Sequence, residues 1–146
     1  LKTDYVNLGF SGSARAEDAI AQYISTLDMS VFVYDYDYNA YHLQHLQDTH
    51  QKMFLTVREK NPTLPIVMMS RPKYRLNEEG QKHLEAIRKT YTDALAAGDK
   101  NVYFIEGPAL MRYAKNDCSV DGAHPNDLGF YSMAKVLLKQ LKAIVY

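Results

Sequence analysis

The sequence has little of the features that mark disulfide-stabilised, membrane-spanning or nucleic-acid-binding proteins. Its 146 residues include a single cysteine, Cys118, so an internal disulfide framework is excluded. A lone cysteine slightly favours the cytoplasm over secretion without deciding between them. No apolar run approaches the ~20 residues that a membrane-spanning helix needs. Lys plus Arg and Asp plus Glu both number 17, so no net charge attracts nucleic acid or an anionic membrane, and a neutral or weakly charged substrate fits best.

Length and the absence of repeats predict a single domain. A chain of 146 residues buries about two-thirds of its unfolded surface, which is enough for one hydrophobic core. The sequence opens with Leu1-Lys2-Thr3-Asp4, which is neither an initiator methionine nor a signal peptide. We therefore expect residues 1–146 to form one domain that is truncated at its N-terminus.

Apolar patterning predicts strands that alternate with helices. Short apolar or β-branched runs indicate strands at 5–10, 29–36, 64–70 and 101–106. Helical spacing indicates helices at 15–27, 41–60, 77–97 and 125–145, with a short helix ending near residue 114. Asn77 is expected to cap the third helix and Gly98 to end it. Since the connections are too long for hairpins, the predicted fold class is α/β, a three-layer α/β/α sandwich around a mostly parallel sheet.

The most informative polar residues are Asp121 and His124, in the loop before the last predicted helix. At this spacing the carboxylate can accept a hydrogen bond from imidazole Nδ1–H, which fixes the tautomer and leaves Nε2 ready to take a hydroxyl proton. Pro125 would hold the histidine backbone rigid at the start of the helix. Taken alone, the pair slightly favours a structural interpretation, in which Asp121 belongs to a turn and His124 neighbours a helix cap.

Three blocks of the sequence resemble the SGNH/GDSL hydrolases. Asp121-Gly122-Ala123-His124-Pro125-Asn126 is similar to that family's last block, whose Asp-x-x-His supplies two members of a catalytic triad. Val6-Asn7 through Ser11-Gly12 resembles the second block, in which a glycine N–H helps to form the oxyanion hole. The run from Val31 to Asn39 resembles the third block, in which an asparagine side chain donates to the same oxyanion. The blocks follow the family's order across nearly the whole chain.

The resemblance implies a flavodoxin-like sheet and a Ser-His-Asp ester hydrolase. His124 would be the general base, Asp121 its orienting carboxylate, and Gly12 and Asn39 the oxyanion donors. The third block lacks the usual glycine and second acid around Asn39 but keeps the amide donor. The family's first block, with the nucleophilic serine, has no counterpart, so we expect the serine upstream of residue 1 and the first strand to be missing from the middle of the sheet. A missing N-terminal segment or a partner chain should then complete the sheet.

The implied activity is hydrolysis of acyl esters, and the partner is a small-molecule or carbohydrate ester, with acetylated carbohydrates among the candidates. Neither a metal nor an organic cofactor is implied. One alternative is a non-catalytic SGNH-like binding domain that keeps the fold without a nucleophile. Ser11 is a weaker candidate nucleophile, because the elbow pattern Gly-x-Ser-x-Gly fails at Ser13.

Other polar groups are interpreted as structural. The acidic run after the second predicted strand imitates a calcium loop but lacks its sixth-position glycine and twelfth-position glutamate. His42, His45 and His50 of the following helix are assigned to a solvated face rather than a zinc site, because no acidic or cysteine partner stands at ligand spacing. Arg71 and Lys73, after the third strand, are assigned by default to a solvated loop, with substrate contact as the alternative.

Tyrosines surround the third block. Alternation along a continuing strand would put Tyr34, Tyr36 and Tyr38 on one side, away from the acidic residues. Most of these rings are expected to pack in the core or at its rim. Tyr38 and Tyr41 are minor candidates for a platform under a sugar or acyl group.

Overall fold

Strands and helices alternate along the chain, as the patterning predicts. The computed structural model describes residues 3–40 and 42–145. Within them the strands are β1 (Phe32–Tyr34), β2 (Ile66–Met69) and β3 (Val102–Ile105). The α-helices are α1 (Asp18–Ser25), α2 (Leu43–Lys60), α3 (Glu78–Ala96), α4 (Gly107–Leu110) and α5 (Asp127–Val145). Short 3₁₀ turns span Asp37–Asn39 and Lys115–Asp117.

The three strands form one parallel sheet in the order β1-β2-β3. In register, Phe32 lies beside Ile66, which lies beside Val102. Each strand reaches the next through a helix, which is the kind of connection that parallel neighbours require. The predicted parallel sheet is therefore confirmed over these strands.

Helices cover both faces of the sheet, because alternate strand side chains point to opposite sides. Ile66 and Met68 pack with residues of α1, α2 and α3, whereas Val67 and Met69 pack with residues of α4 and α5. All four of these β2 side chains are at most 4% exposed. The three-layer α/β/α sandwich is confirmed. None of the described helices has both the length and the apolar character needed to cross a membrane.

The ends of α3 follow the predicted signals. The Asn77 side chain accepts a hydrogen bond from the Gly80 N–H at 2.9 Å, which satisfies one donor of the first turn. After the helix, Gly98 has a φ of +87°, which a residue without Cβ adopts at low cost, and its N–H donates to Leu95 O at 2.9 Å. Both predictions are confirmed.

The predicted strand over residues 5–10 is wrong, because no strand forms there in the described part of the chain. The segment lies on the outside of the molecule, with Tyr5 82% and Val6 71% exposed. The N–H groups of Tyr5 and Gly9 donate to the nearby side chains of Asp4 and Asn7. Aromatic and β-branched residues favour strands only where a pleated, half-buried surface receives them, and this segment has no such surface.

The outer edge of β1 has no strand beside it among residues 3–40 and 42–145. The Phe32 N–H donates to Pro65 O on the β2 side at 2.9 Å. By alternation, the N–H and C=O of Val33 point to the outer edge. Unpaired groups of this kind are a template for another strand. Completion of the sheet by a further segment or a partner chain stays a prediction.

His50 is a core residue of α2, which corrects its assignment to a solvated face. It is 2% exposed, its ring stacks on Tyr34 with centroids 4.5 Å apart, and Nδ1 lies 2.9 Å from Thr90 Oγ1. Its Nε2 has no hydrogen-bond partner among the described residues. Burial disfavours the imidazolium and lowers the pKa of His50 from 6.5 to about 3, although the charge of Asp37 opposes the shift.

Stability should therefore depend on the protonation of His50. As the pH falls from about 6.5 toward 3, His50 becomes protonated in the unfolded chain but stays neutral in the folded chain. The free energy of unfolding should therefore fall by up to about 1.4 kcal/mol per pH unit. Urea unfolding between pH 4 and 7 (roughly the window in which the two states differ) measures this slope. His50→Leu should flatten it, whereas the control His42→Gln, at an exposed position, should keep it. An unchanged slope in His50→Leu would contradict the assignment.

Candidate active site

A short braced loop carries Asp121 and His124 between the second 3₁₀ turn and α5. Ser119 pairs with Pro125 in an isolated antiparallel bridge that closes the loop at its base. At the tip, Gly122 takes a φ of +85°, in the left-handed region that glycine tolerates. The bridge and the turn bring the two ends of a four-residue Asp-x-x-His segment face to face.

Asn126 anchors this loop to the start of α5. Its N–H donates to Cys118 O at 3.0 Å and its side-chain amide to Asp117 O at 2.8 Å. Its Oδ1 accepts the Gly129 N–H at 2.9 Å, as a helix cap does. A Cβ on Gly129 would lie 2.1 Å from Cys118 O, well inside contact distance. The loop and the helix therefore fit together only with glycine at this position.

The Asp121 carboxylate accepts three hydrogen bonds from its own loop. Oδ1 accepts from the N–H of Ala123 at 2.9 Å and of His124 at 2.8 Å, and Oδ2 lies 2.5 Å from His124 Nδ1. The imidazole bond is the largest cause that holds the pKa of Asp121 well below its usual range, and the two backbone bonds add to it. Since Nδ1 faces a carboxylate, Nε2 is the His124 nitrogen left to exchange a proton. The structure brings the two residues into contact, while their catalytic role stays a prediction.

Gly12 occupies a tight turn before α1. The Ser13 N–H donates to Phe10 O at 2.9 Å, and the φ of +62° at Gly12 is the conformation that glycine takes at the third position of such a turn. Within residues 3–40 and 42–145, no hydrogen bond joins Gly12 to Asp121 or His124. Its share in an oxyanion hole therefore stays a prediction.

Asn39 closes the 3₁₀ turn at the carboxyl end of β1. The strand was predicted to continue through residue 36, but it ends at Tyr34, because the chain turns at Asp37. The Asn39 N–H donates to Tyr36 O at 2.8 Å, and the residue is half-buried. Tyr34 and Tyr36 stack with centroids 5.3 Å apart, but Tyr38 leaves their side with the turn, so the predicted continuous alternation is wrong.

Tyr38 is the middle residue of the Asn39 turn. Its ring packs on the Arg71 guanidinium, whose Cζ lies 5.2 Å from the ring centroid. Burial raises the pKa of Tyr38, Arg71 lowers it, and the side chains of Asp37, Cys118 and Asp121 raise it further. Tyr41 lies outside the described residues, so its part in a substrate platform stays a prediction.

An ionic cluster that sequence reasoning missed, the Asp37 cluster of Asp37, Arg71 and His83, supports the Asn39 turn. Arg71 is 13% exposed and pairs with fully buried Asp37, so its assignment to a solvated loop is wrong. The sequence contained one indication of the Asp37–Arg71 pair. The two residues follow neighbouring parallel strands, and opposite charges at one sheet edge can pair. His83, 46 residues from Asp37, gave no local signal. No group of three potential metal ligands converges anywhere in the described residues.

Comparison with known proteins identifies the family. Residues 1–142 match the GDSL-like lipase/acylhydrolase family, and the chain belongs to it. A solved Bacteroides ovatus protein assigned as a GDSL-like lipase is 27% identical, with a TM-score of 0.77 over 92% of this chain. A salicylyl-acyltransferase from a tetracycline biosynthetic pathway has a similar fold, with a TM-score of 0.72 over 89% of this chain at 17% identity.

The chain is much shorter than these two solved structures. It spans 41% of the first and 42% of the second. No curated protein matches the sequence. The resemblance to the SGNH/GDSL hydrolases is confirmed at the level of the family and the fold.

The ionisation of Asp121 should depend on His124. Asp121 should titrate well below the ordinary aspartate value of about 3.9, because the imidazole donates to it. In His124→Ala its pKa should rise part of the way back, since the two backbone N–H donors remain. NMR titration of ¹³C-labelled aspartate side chains measures the change, and His42→Ala is the matched control. An unmoved Asp121 in His124→Ala would show that another group controls the carboxylate.

Proposed function

We propose that this chain belongs to a serine ester hydrolase that works through an acyl-enzyme. A serine upstream of residue 1 attacks the ester carbonyl, and His124 takes its proton through Nε2 and then gives it to the leaving alcohol. Asp121 orients the imidazole and stabilises its charged form. Water then attacks the acyl-enzyme with His124 again as the base, which releases the acid and restores the serine. No metal or organic cofactor enters the reaction.

The observation that carries this proposal is the hydrogen bond between Asp121 and His124. A base needs a fixed tautomer, and the 2.5 Å contact between Nδ1 and Oδ2 supplies one. The side chain of His124 is 83% exposed, so its Nε2 is accessible to a substrate. The three bonds that keep Asp121 ionised also favour the imidazolium that forms when His124 takes the proton.

Gly12 and Asn39 are the proposed oxyanion donors. Gly12 would donate its backbone N–H and Asn39 its side-chain amide to the oxygen that gains charge in the tetrahedral intermediate. The position of Asn39 on a rigid turn at the carboxyl end of a parallel strand supports this role, because ligands of open α/β sheets bind at that edge.

The open edge of β1 is the proposed place of the segment that carries the serine. A strand paired there would bond the outward N–H and C=O of Val33 and would end near the Asn39 turn. The substrate is an acyl ester of a small molecule or a carbohydrate, and acetylated sugars are the class to assay first. The second candidate is a binding domain of the same fold that has no nucleophile.

Labelling with a fluorophosphonate separates the two candidates. The full-length natural protein should form a covalent adduct, and peptide mapping should place it on a serine upstream of Leu1. Adduct formation on Ser11 would replace the proposed nucleophile. A folded protein that neither labels nor hydrolyses p-nitrophenyl acetate would be a binding domain, and the catalytic proposal would be wrong.

His124→Ala should remove the general base. We expect kcat to fall by ~10⁴-fold or more with the fold intact, by analogy with the loss of a triad base. Circular dichroism checks the fold, and ester turnover measures the loss. His42→Ala removes an exposed histidine at the start of α2 and should leave turnover unchanged. Near-normal turnover in His124→Ala would overturn the role of His124.

Asn39→Ala should remove one oxyanion donor. The expected loss is ~10²- to 10³-fold in kcat, with KM little changed, because the donor acts on charge that develops only in the transition state. Asn126→Ala is no substitute control, since it would loosen the Asp121 loop. Asn116→Ala, at an exposed position of the second 3₁₀ turn, is the appropriate one. A change confined to KM would place Asn39 in substrate binding instead.

A further inference from the structure

The geometry points to Asp37 as a positioning residue that holds the oxyanion donor Asn39 in place through the Asp37 cluster. The inference rests on the proposed ester hydrolysis. Asp37 touches no reacting atom in that mechanism. It acts through the turn that it begins, and Arg71 and His83 act through Asp37.

Asp37 is a carboxylate with no exposed surface and a dense set of donors. Its Oδ2 accepts from the Arg71 backbone N–H at 2.8 Å, and its Oδ1 accepts from Arg71 Nε at 3.1 Å and Nη2 at 2.9 Å. His83 Nδ1 lies 2.7 Å from the same Oδ1. Isolated burial of a charged carboxylate would be costly, and these charge-assisted bonds offset it. The side chain therefore has one orientation in which its donors are satisfied.

Three separate parts of the chain meet at this carboxylate. Asp37 begins the turn after β1, Arg71 lies two residues after the end of β2, and His83 belongs to the second turn of α3. The ring of His83 is 1% exposed, and its Nε2 has no hydrogen-bond partner among the described residues. Its Nδ1 lies 2.7 Å from Asp37 Oδ1 and 2.5 Å from Arg71 Nη2, so the imidazole contacts both members of the Asp37–Arg71 pair.

The turn transmits the position of Asp37 to Asn39. The Ala40 N–H donates to Asp37 O at 3.2 Å, and the Asn39 N–H donates to Tyr36 O at 2.8 Å. These two backbone hydrogen bonds therefore hold the short segment that joins Asp37 to Asn39 in the shape of the turn. The guanidinium that binds Asp37 also lies under the Tyr38 ring. The cluster therefore holds Asp37 and Tyr38 directly, and Asn39 through the backbone of the turn.

A positioning role requires more than a stabilising ion pair. A buried ion pair by itself is weak evidence for stability, and this molecule has a second one for comparison. Arg58 Nε bonds Asp99 Oδ2 at 2.8 Å with both side chains 14% or less exposed. That pair lies near the amino end of β3, away from the proposed site. A displacement of about 1 Å at a catalytic donor can cost ~10²-fold in rate, so the two pairs should differ in their effect on turnover.

The test uses Asp37→Asn in the full-length protein. Active sites are counted by stoichiometric fluorophosphonate labelling, so that kcat refers to folded, reactive molecules only. We expect kcat per labelled site to fall ~10- to 100-fold with KM within about twofold, because an amide cannot accept all the donors that converge on the carboxylate. Asp99→Asn should lower thermal stability and leave kcat per labelled site unchanged.

A double-mutant cycle tests whether Asp37 acts through Asn39. In the Asn39→Ala background, Asp37→Asn should change kcat per labelled site by less than about threefold, since the donor that it positions is gone. Full additivity of the two losses would overturn the inference, as would an unchanged kcat in the single Asp37→Asn variant.

Arg71→Lys covers the case in which Asp37→Asn does not fold. Lysine keeps the charge but loses the paired Nε and Nη2 contacts. It should lower kcat per labelled site in the same non-additive way with Asn39→Ala, and additivity there would overturn the inference equally. Failure of the proposed function has a different signature, because wild-type protein would then show neither label nor turnover, and both proposals would be withdrawn. An active wild type with additive variants would remove only the role of Asp37.

Discussion

The complete burial of β2 is the constraint on which the rest of the fold depends. This strand has neighbours on both edges and helices on both faces, so its backbone and side chains have no access to water. Each of its polar groups must therefore bond within the protein. The residues that follow β2 also need hydrogen-bond partners within the protein. Buried Ser70 accepts the Gly107 N–H at 2.8 Å, and the Arg71 guanidinium donates to Asp37. A Cβ on Gly107 would lie 1.7 Å from Arg71 O, so the start of α4 is pressed against the segment that leaves β2.

The two halves of the proposed site are held by different physics. The Asn39 turn is held by the buried carboxylate of Asp37, whose hydrogen-bond partners come from distant parts of the chain. The Asp121 loop is fixed by short-range bonds and by its close approach to α5, and its two functional side chains stay exposed. This division suits the proposed chemistry, because an oxyanion donor must stay still, whereas a base must reach first the serine and then the leaving group. Tyr38 packs on the Arg71 guanidinium of the cluster that holds the Asn39 turn.

Local features of the chain were predictable, and features that depend on a distant partner were not. Helical spacing, the Asn77 cap and the Gly98 stop are encoded within a few residues, as is the Asp121–His124 contact, so the sequence was sufficient for them. The strand predicted over residues 5–10 does not form, because residues that favour strands need a neighbouring strand to pair with. The Asp37 cluster could not be predicted for a similar reason, because His83 is 46 residues from Asp37 in the sequence. A histidine or an arginine appears solvated in a sequence until the fold supplies its partner, as His50 and Arg71 both show.

On the proposed mechanism, one additional strand would account for two features that the described chain leaves open. The outer edge of β1 presents the N–H and C=O of Val33 with no partner strand among the described residues, and within the same residues no serine forms a hydrogen bond with His124. In a parallel sheet the residue that follows a strand lies at the carboxyl edge, where Asn39 and Arg71 already lie. A strand that bonds Val33 would therefore carry whatever follows it to the same edge as the Asn39 turn. The same strand would then pair the open edge of β1 and place the nucleophile in the site. Loss of this strand should abolish fluorophosphonate labelling while leaving the Asp121–His124 contact in place.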